Sequence, residues 1–125
     1  MSFDWVRDIS IMHDKYGVKK WMEENKENPD KLRTYLQFRV DFLREELDET
    51  EAALISTDAE EIVDGLIDLC VVAIGTLDAF GINPYKAWDF TILATVVCPH
   101  AILLPDKVGM FSSVNCLAIF REPMP

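Results

Sequence analysis

With 125 residues, half of them apolar, the chain can bury one core but not two, and its hydrophobic content excludes a disordered protein. Twelve Lys and Arg stand against 22 Asp and Glu, a formal net charge of −10 that argues against nucleic acid and anionic lipid as partners. Asp4, Arg7 and Asp8 interrupt any signal-peptide core, Leu69 to Leu77 is far shorter than the roughly 20 residues of a membrane span, and Cys70, Cys98 and Cys116 without a CxxC pair fit free thiols in the cytoplasm better than a zinc site.

The first predicted helix carries Phe3, Val6, Ile9 and His13 on one side, with Trp5, Met12 and Tyr16 close to it; Ser2 can cap it and Gly17 can stop it. Its aromatics read as core packing, or as a surface for a flat ligand such as a base. His13 reads as a surface or packing residue, because no partner is visible in the sequence. Lys15, Lys19, Lys20 and Lys26 are ordinary solvated charges and also among the few cations available for a phosphate tail. Asn25 to Asp30 is a polar linker in which Asn28-Pro29 starts a second helix, from about Pro29 to Leu54. Leu32, Leu36, Val40, Leu43, Leu47 and Leu54 follow the 3.6 period along it.

Ser56 or Thr57 can cap the third helix, Glu60 completing a capping box three residues after Thr57. This helix ends at Phe80-Gly81 and is apolar around most of its circumference, which places it at the centre of a bundle or in a subunit interface. Asn83-Pro84 opens a fourth helix that Pro99 ends, although Leu93 to Val97 would suit a strand equally well. Pro105 to Pro125 is an irregular tail with a short strand conceivable at Cys116 to Phe120. The expected fold is all-α: a bundle of about four helices, residues 1–98, followed by an extension over 99–125.

Two acidic stretches carry the chemistry. Glu61, Asp64 and Asp68 lie at i, i+3 and i+7, and Glu46 and Glu49 at i and i+3, so each set points one way from its helix. Glu46 falls on the apolar stripe between Leu43 and Leu47, and Asp68 between Leu66 and Leu69, where a bare carboxylate is costly. A short turn makes the two helices antiparallel neighbours, with Glu49 and Asp64 at nearly equal distances from it. An all-oxygen pocket of this composition suits Mg2+ or Mn2+. A solvated charge run would explain Glu45, Glu46, Asp48, Glu49 and Glu51 taken alone, and helix-dipole pairing would explain Glu60 and Glu61. Neither explains Asp64 and Asp68, which lie past the first turn among apolar residues.

Glu45-Glu46-Leu47-Asp48-Glu49 followed by Glu61-Ile62-Val63-Asp64 resembles the ExxE and ExxD signature of the all-α nucleoside triphosphate pyrophosphohydrolases, the MazG-like group that includes phosphoribosyl-ATP pyrophosphohydrolases and dimeric dUTPases. Asp64-Gly65-Leu66-Ile67-Asp68 and Phe80-Gly81-Ile82 are similar to phosphoribosyl-ATP pyrophosphohydrolase-like members. The resemblance spans about Phe3 to Trp88. It implies Glu46, Glu49, Glu61 and Asp64 as Mg2+ ligands and cleavage of a nucleotide between the α and β phosphates to a monophosphate and pyrophosphate, a reaction in which Asp68, one turn on, is expected to assist as a ligand or by orienting a water. It further implies a dimer or tetramer of helical subunits. The base is expected near Trp5, Phe3 or Tyr16, with Lys19 toward the phosphates. After Trp88 the phosphoribosyl-ATP-like members commonly carry an Asn-Met-Ser-Lys element; this chain instead reads Ala94-Thr95-Val96-Val97-Cys98-Pro99-His100, leaving Lys107, Arg121 or an N-terminal lysine for that role. The reading from another class is a non-enzymatic helical oligomer whose acidic face binds a structural cation or a basic protein.

Overall fold

Capping residues set the frame. Asp4 accepts a hydrogen bond from the Arg7 N–H and opens α1, Trp5–Lys15, so the start expected at Ser2, which lies outside the described residues, falls to an acidic cap instead. Gly17, at φ 79°, turns the chain into α2, Val18–Asn25, a short helix that the sequence analysis did not separate. Asn28 accepts from the Lys31 N–H and Pro29 occupies the first turn of α3, Pro29–Ser56. At 28 residues α3 is about 42 Å long. α4 spans Ala59–Ala79 and α5 spans Pro84–Val97, with Asn83 accepting from the Tyr85 and Lys86 N–H groups.

This computed structural model describes residues 3–97. The described residues form five helices and no strand, an all-α fold with one more helix than expected. Leu93 to Val97 is helical, while the tail with its conceivable strand at Cys116 to Phe120 lies outside the described residues, as do Cys98, Lys107 and Arg121. The chain divides into two compact units, 1–81 and 82 onward. In the first, α4 is the central helix: it packs along α3 and also meets α1 and α2. No single helix among the described residues is long and apolar enough to cross a membrane.

The α3–α4 turn corrects another expectation. Thr57 does not cap α4; it closes α3 in the left-handed region at φ 59°, its N–H on Leu54 O while the Asp58 N–H reaches Ala53 O. That pattern closes a helix with glycine's preferred geometry. Asp58 therefore takes the cap of α4, its Oδ1 accepting from the Glu60 and Glu61 N–H groups at 3.2 Å. A β-branched residue pays for a left-handed φ, so Thr57→Gly is expected to stabilise the fold by about 0.5–1 kcal/mol after the entropy cost of glycine. A urea titration should show a higher midpoint with an unchanged slope; a lower midpoint would contradict this account of the turn.

Candidate active site

The two acidic stretches flank a close contact between α3 and α4 at Thr50 and Gly65. Gly65 is buried, and a Cβ there would run into the Thr50 hydroxyl, with Thr50 Cβ at 3.3 Å. Glycine within a helix costs about 0.5–1 kcal/mol relative to alanine, and here the contact explains it. Thr50 is held by its own hydrogen bond, Oγ1 donating to Glu46 O at 2.7 Å. Thr50 against Gly65 and Arg39 against Thr76 define one antiparallel register, and it brings Glu46 to the level of Asp68.

Glu46 is buried, with 8% of its surface exposed. Its carboxyl is pushed above the usual glutamate range first by desolvation, then by the charges of Asp68, Glu49, Glu45 and Asp64, in that order. No ion pair among the described residues neutralises it. The fold thus brings Glu49, Asp64 and Asp68 within electrostatic reach of Glu46, together with Glu45. Asp68 is half-buried, whereas Glu49 and Asp64 are exposed. Glu61 is exposed in the first turn of α4, its N–H on Asp58, and is not among the charges that act on Glu46. No three His, Cys, Asp or Glu side chains among the described residues already stand together at ligand distances. The donor set nonetheless fits a hard dication: all its groups are carboxylates, one is desolvated, and none has a cationic partner.

A second polar cluster went unread in the sequence. His13 is 3% exposed, and its Nδ1 lies 2.8 Å from Asp78 Oδ2, so it is a buried, partnered residue that ties α1 to α4. Arg39 reaches across from α3, Nε donating to Thr76 Oγ1 at 3.0 Å and Nη2 to Val72 O at 2.9 Å. Both side chains close on Gly75, where a Cβ would lie 2.9 Å from Arg39 Nη2 and 3.1 Å from the His13 ring. Glycines ten residues apart on α4, at 65 and 75, were the available signal for these two close approaches.

The residues expected to meet the base and phosphates lie on the surface. Trp5 and Tyr16 are 53% and 71% exposed, and Phe3 is fully so. The Lys19 Nζ donates to Ser10 Oγ at 2.7 Å. Another aromatic surface lies between α2 and α3, an open cleft of about 460 Å3 lined by Trp21, Tyr35 and Phe38 with Asp30, Lys31 and Thr34. Trp21 stacks on Tyr35 at 5.2 Å between ring centres, and Tyr35 also meets Phe80. Burial pushes the Tyr35 phenol up, with the Arg39 charge opposing. The spacing of Tyr35, Phe38 and Phe42 on one helix was the clue that sequence reasoning passed over.

Neither curated proteins nor solved structures yield a match to this chain. Residues 16–91 match the family model of phosphoribosyl-ATP pyrophosphohydrolase. That span contains α2, α3, α4 and all five carboxylates singled out from the sequence, and more than half of the chain. The match and the helical acidic site together make the chain a member of the phosphoribosyl-ATP pyrophosphohydrolase family, whose reaction is hydrolysis of a pyrophosphate link in a nucleotide.

Proposed function

We infer that the protein is a Mg2+-dependent nucleotide pyrophosphohydrolase that converts a nucleoside triphosphate, or a related nucleotide, to a monophosphate and pyrophosphate. The observation that carries this is Glu46: a desolvated carboxylate facing the charges of Asp64 and Asp68 on α4 and of Glu45 and Glu49 on its own helix, with no basic partner. Glu46, Glu49, Glu61 and Asp64 would hold Mg2+, Mn2+ being the near substitute, and Asp68 would accept a hydrogen bond from the attacking water and orient it. When bound, the cation supplies charge neutralisation at the phosphoryl oxygens and acidifies water. The aromatic cleft at Trp21, Tyr35 and Phe38, in which Trp21 and Tyr35 already stack, is a second surface for a base beside Trp5 and Tyr16, and Lys19 and Lys31 are cations within the same unit.

The working form is a dimer or tetramer. Leu47 and Leu54 on α3 are 56% and 66% exposed, and Val63, Leu66 and Ile67 on α4 are 61%, 51% and 42% exposed. These side chains flank the carboxylates, so a second copy that covered them would also enclose the site and exclude water from it. The free, exposed Cys70 agrees with a cytoplasmic location.

Pyrophosphate release from a panel of ribo- and deoxynucleoside triphosphates, with Mg2+ and with chelator, tests the reading. Release that requires Mg2+ and falls by about a thousandfold in Glu49→Gln is the expected result. Absence of release from every nucleotide would favour the non-enzymatic oligomer.

A further inference from the structure

α4 meets α3 and α1 through one side. Gly65 lies against Thr50 of α3, and Gly75 lies against Arg39 of α3 and His13 of α1. Cys70 is five residues from each glycine, so at 3.6 residues per turn it sits about 140° round the helix from both, on the opposite side. That side is bare. Cys70 is a free, exposed thiol; Val63, Leu66, Ile67 and Ala73 are exposed with it, and Ile74 and Leu77 are half-buried. These positions fall three, four and seven residues before and after Cys70, which is the spacing of one continuous helical stripe. An apolar stripe of this extent marks a surface that another surface covers.

Charge identifies the occupant. The chain carries a net −10, so two copies repel wherever their carboxylates approach. The stripe holds neither acid nor base, and no charged residue lies between Leu69 and Leu77, so two copies can meet there without that repulsion, while a charged partner finds nothing to pair with. The stripe is also complementary to itself. Turned antiparallel about an axis at Cys70, Val63 meets the partner's Leu77, Leu66 the partner's Ile74, and Ile67 the partner's Ala73. We propose that two copies of this chain pair through the bare side of α4, antiparallel, with the two-fold axis at Cys70. The inference names the face behind the dimer or tetramer reading above, and it rests on that reading. At an isologous interface only a residue on the axis meets itself, so the two Cys70 thiols face each other. Helix axes about 8–10 Å apart, each with Cα atoms at a radius of about 2.3 Å, leave about 3.4–5.4 Å between facing Cα atoms. That range overlaps the about 4.4–6.8 Å of a disulfide.

Oxidation of the full chain with azodicarboxamide, in a Cys98→Ser/Cys116→Ser background that leaves Cys70 as its one thiol, reads this geometry. Two thiols lose two electrons and two protons to the azo group, which becomes the hydrazine, and one intersubunit disulfide forms. Most of the chain is expected to run as a reducible dimer on a denaturing gel, and none after Cys70→Ser. With Cys70→Ser in place, Ile67→Cys combined with Ala73→Cys should restore the dimer, because those positions meet across the axis. Ile67→Cys alone should give less than about a tenth as much, since its own copy is out of disulfide reach. Cys70→Glu sets two carboxylates at the axis and should weaken self-association by about a hundredfold in sedimentation equilibrium. A monomeric wild type, or an oligomer whose Cys70 thiols do not join, overturns the proposal, and this crosslinking decides by itself should Cys70→Glu fail to fold. Pyrophosphate release from a chain that does not pair at Cys70 overturns this inference alone. A Cys70-linked dimer inactive on every nucleotide supports it and overturns the enzymatic reading alone.

Discussion

Glu46→Gln should abolish Mg2+-dependent pyrophosphate release while raising the melting temperature of the metal-free protein at neutral pH. The two effects have one cause. Folding removes the Glu46 carboxylate from water and sets it beside Asp68, Glu49, Glu45 and Asp64, so its pKa in the folded chain lies above the ordinary 4.5. A carboxyl whose folded pKa is raised costs nothing below the unfolded value, where it is protonated in both states. Its penalty grows as pH rises through the folded pKa, because the ion must then exist in the desolvated position. Gln keeps the shape and removes the charge. Wild type and variant are therefore expected to melt together near pH 4 and to separate by a few degrees at pH 7, the variant melting higher. Mg2+ should raise the melting temperature of wild type and not of the variant, since binding to the folded state alone stabilises it. A variant that melts lower at pH 7 would contradict the electrostatic account, and one that keeps its turnover would remove Glu46 from the ligand set.

His13→Ala is expected to destabilise the fold by about 3 kcal/mol. His13 is almost fully buried and supplies the 2.8 Å partner of Asp78, whose side chain is 14% exposed. Truncation leaves a cavity beside Gly75 and a carboxylate with no partner, two penalties that add. Urea denaturation measures the total, and amide hydrogen exchange should show α1 losing protection before α3 and α4, because this pair is the polar link that docks α1 on α4. Combining His13→Ala with Asp78→Asn should cost less than the sum of the two singles, as expected for groups that interact directly. Asp78 lies ten residues from Asp68, about 15 Å along α4, so Mg2+ affinity should be unchanged. A loss under about 1 kcal/mol would mean that apolar contacts alone seat α1.

Much of this architecture is legible in the sequence. The leucine period from Leu32 to Leu54, the Asn28-Pro29 start and the Gly81 stop are local signals, decided by backbone preferences within a few residues, and the helices follow them. The cap of α4 was misplaced because Thr57 and Asp58 both suit that position, and only the closure of α3 shows that Thr57 is already used. α2 was missed for a similar reason: eight residues after a glycine give too little period to separate a helix from a linker.

The sequence by itself determined the all-α class, the two acidic stretches and their membership of one family, because helical period and carboxylate spacing are properties of neighbouring residues. Only the tertiary structure decided which side chains face each other. It placed Gly65 on Thr50 and Gly75 between His13 and Arg39, buried Glu46 opposite Asp68, and left Glu61, Trp5 and Tyr16 at the surface. These are distances between residues far apart in the chain. They depend on the interhelical separation that close packing selects, and one glycine in the right turn changes that separation more than any local preference does.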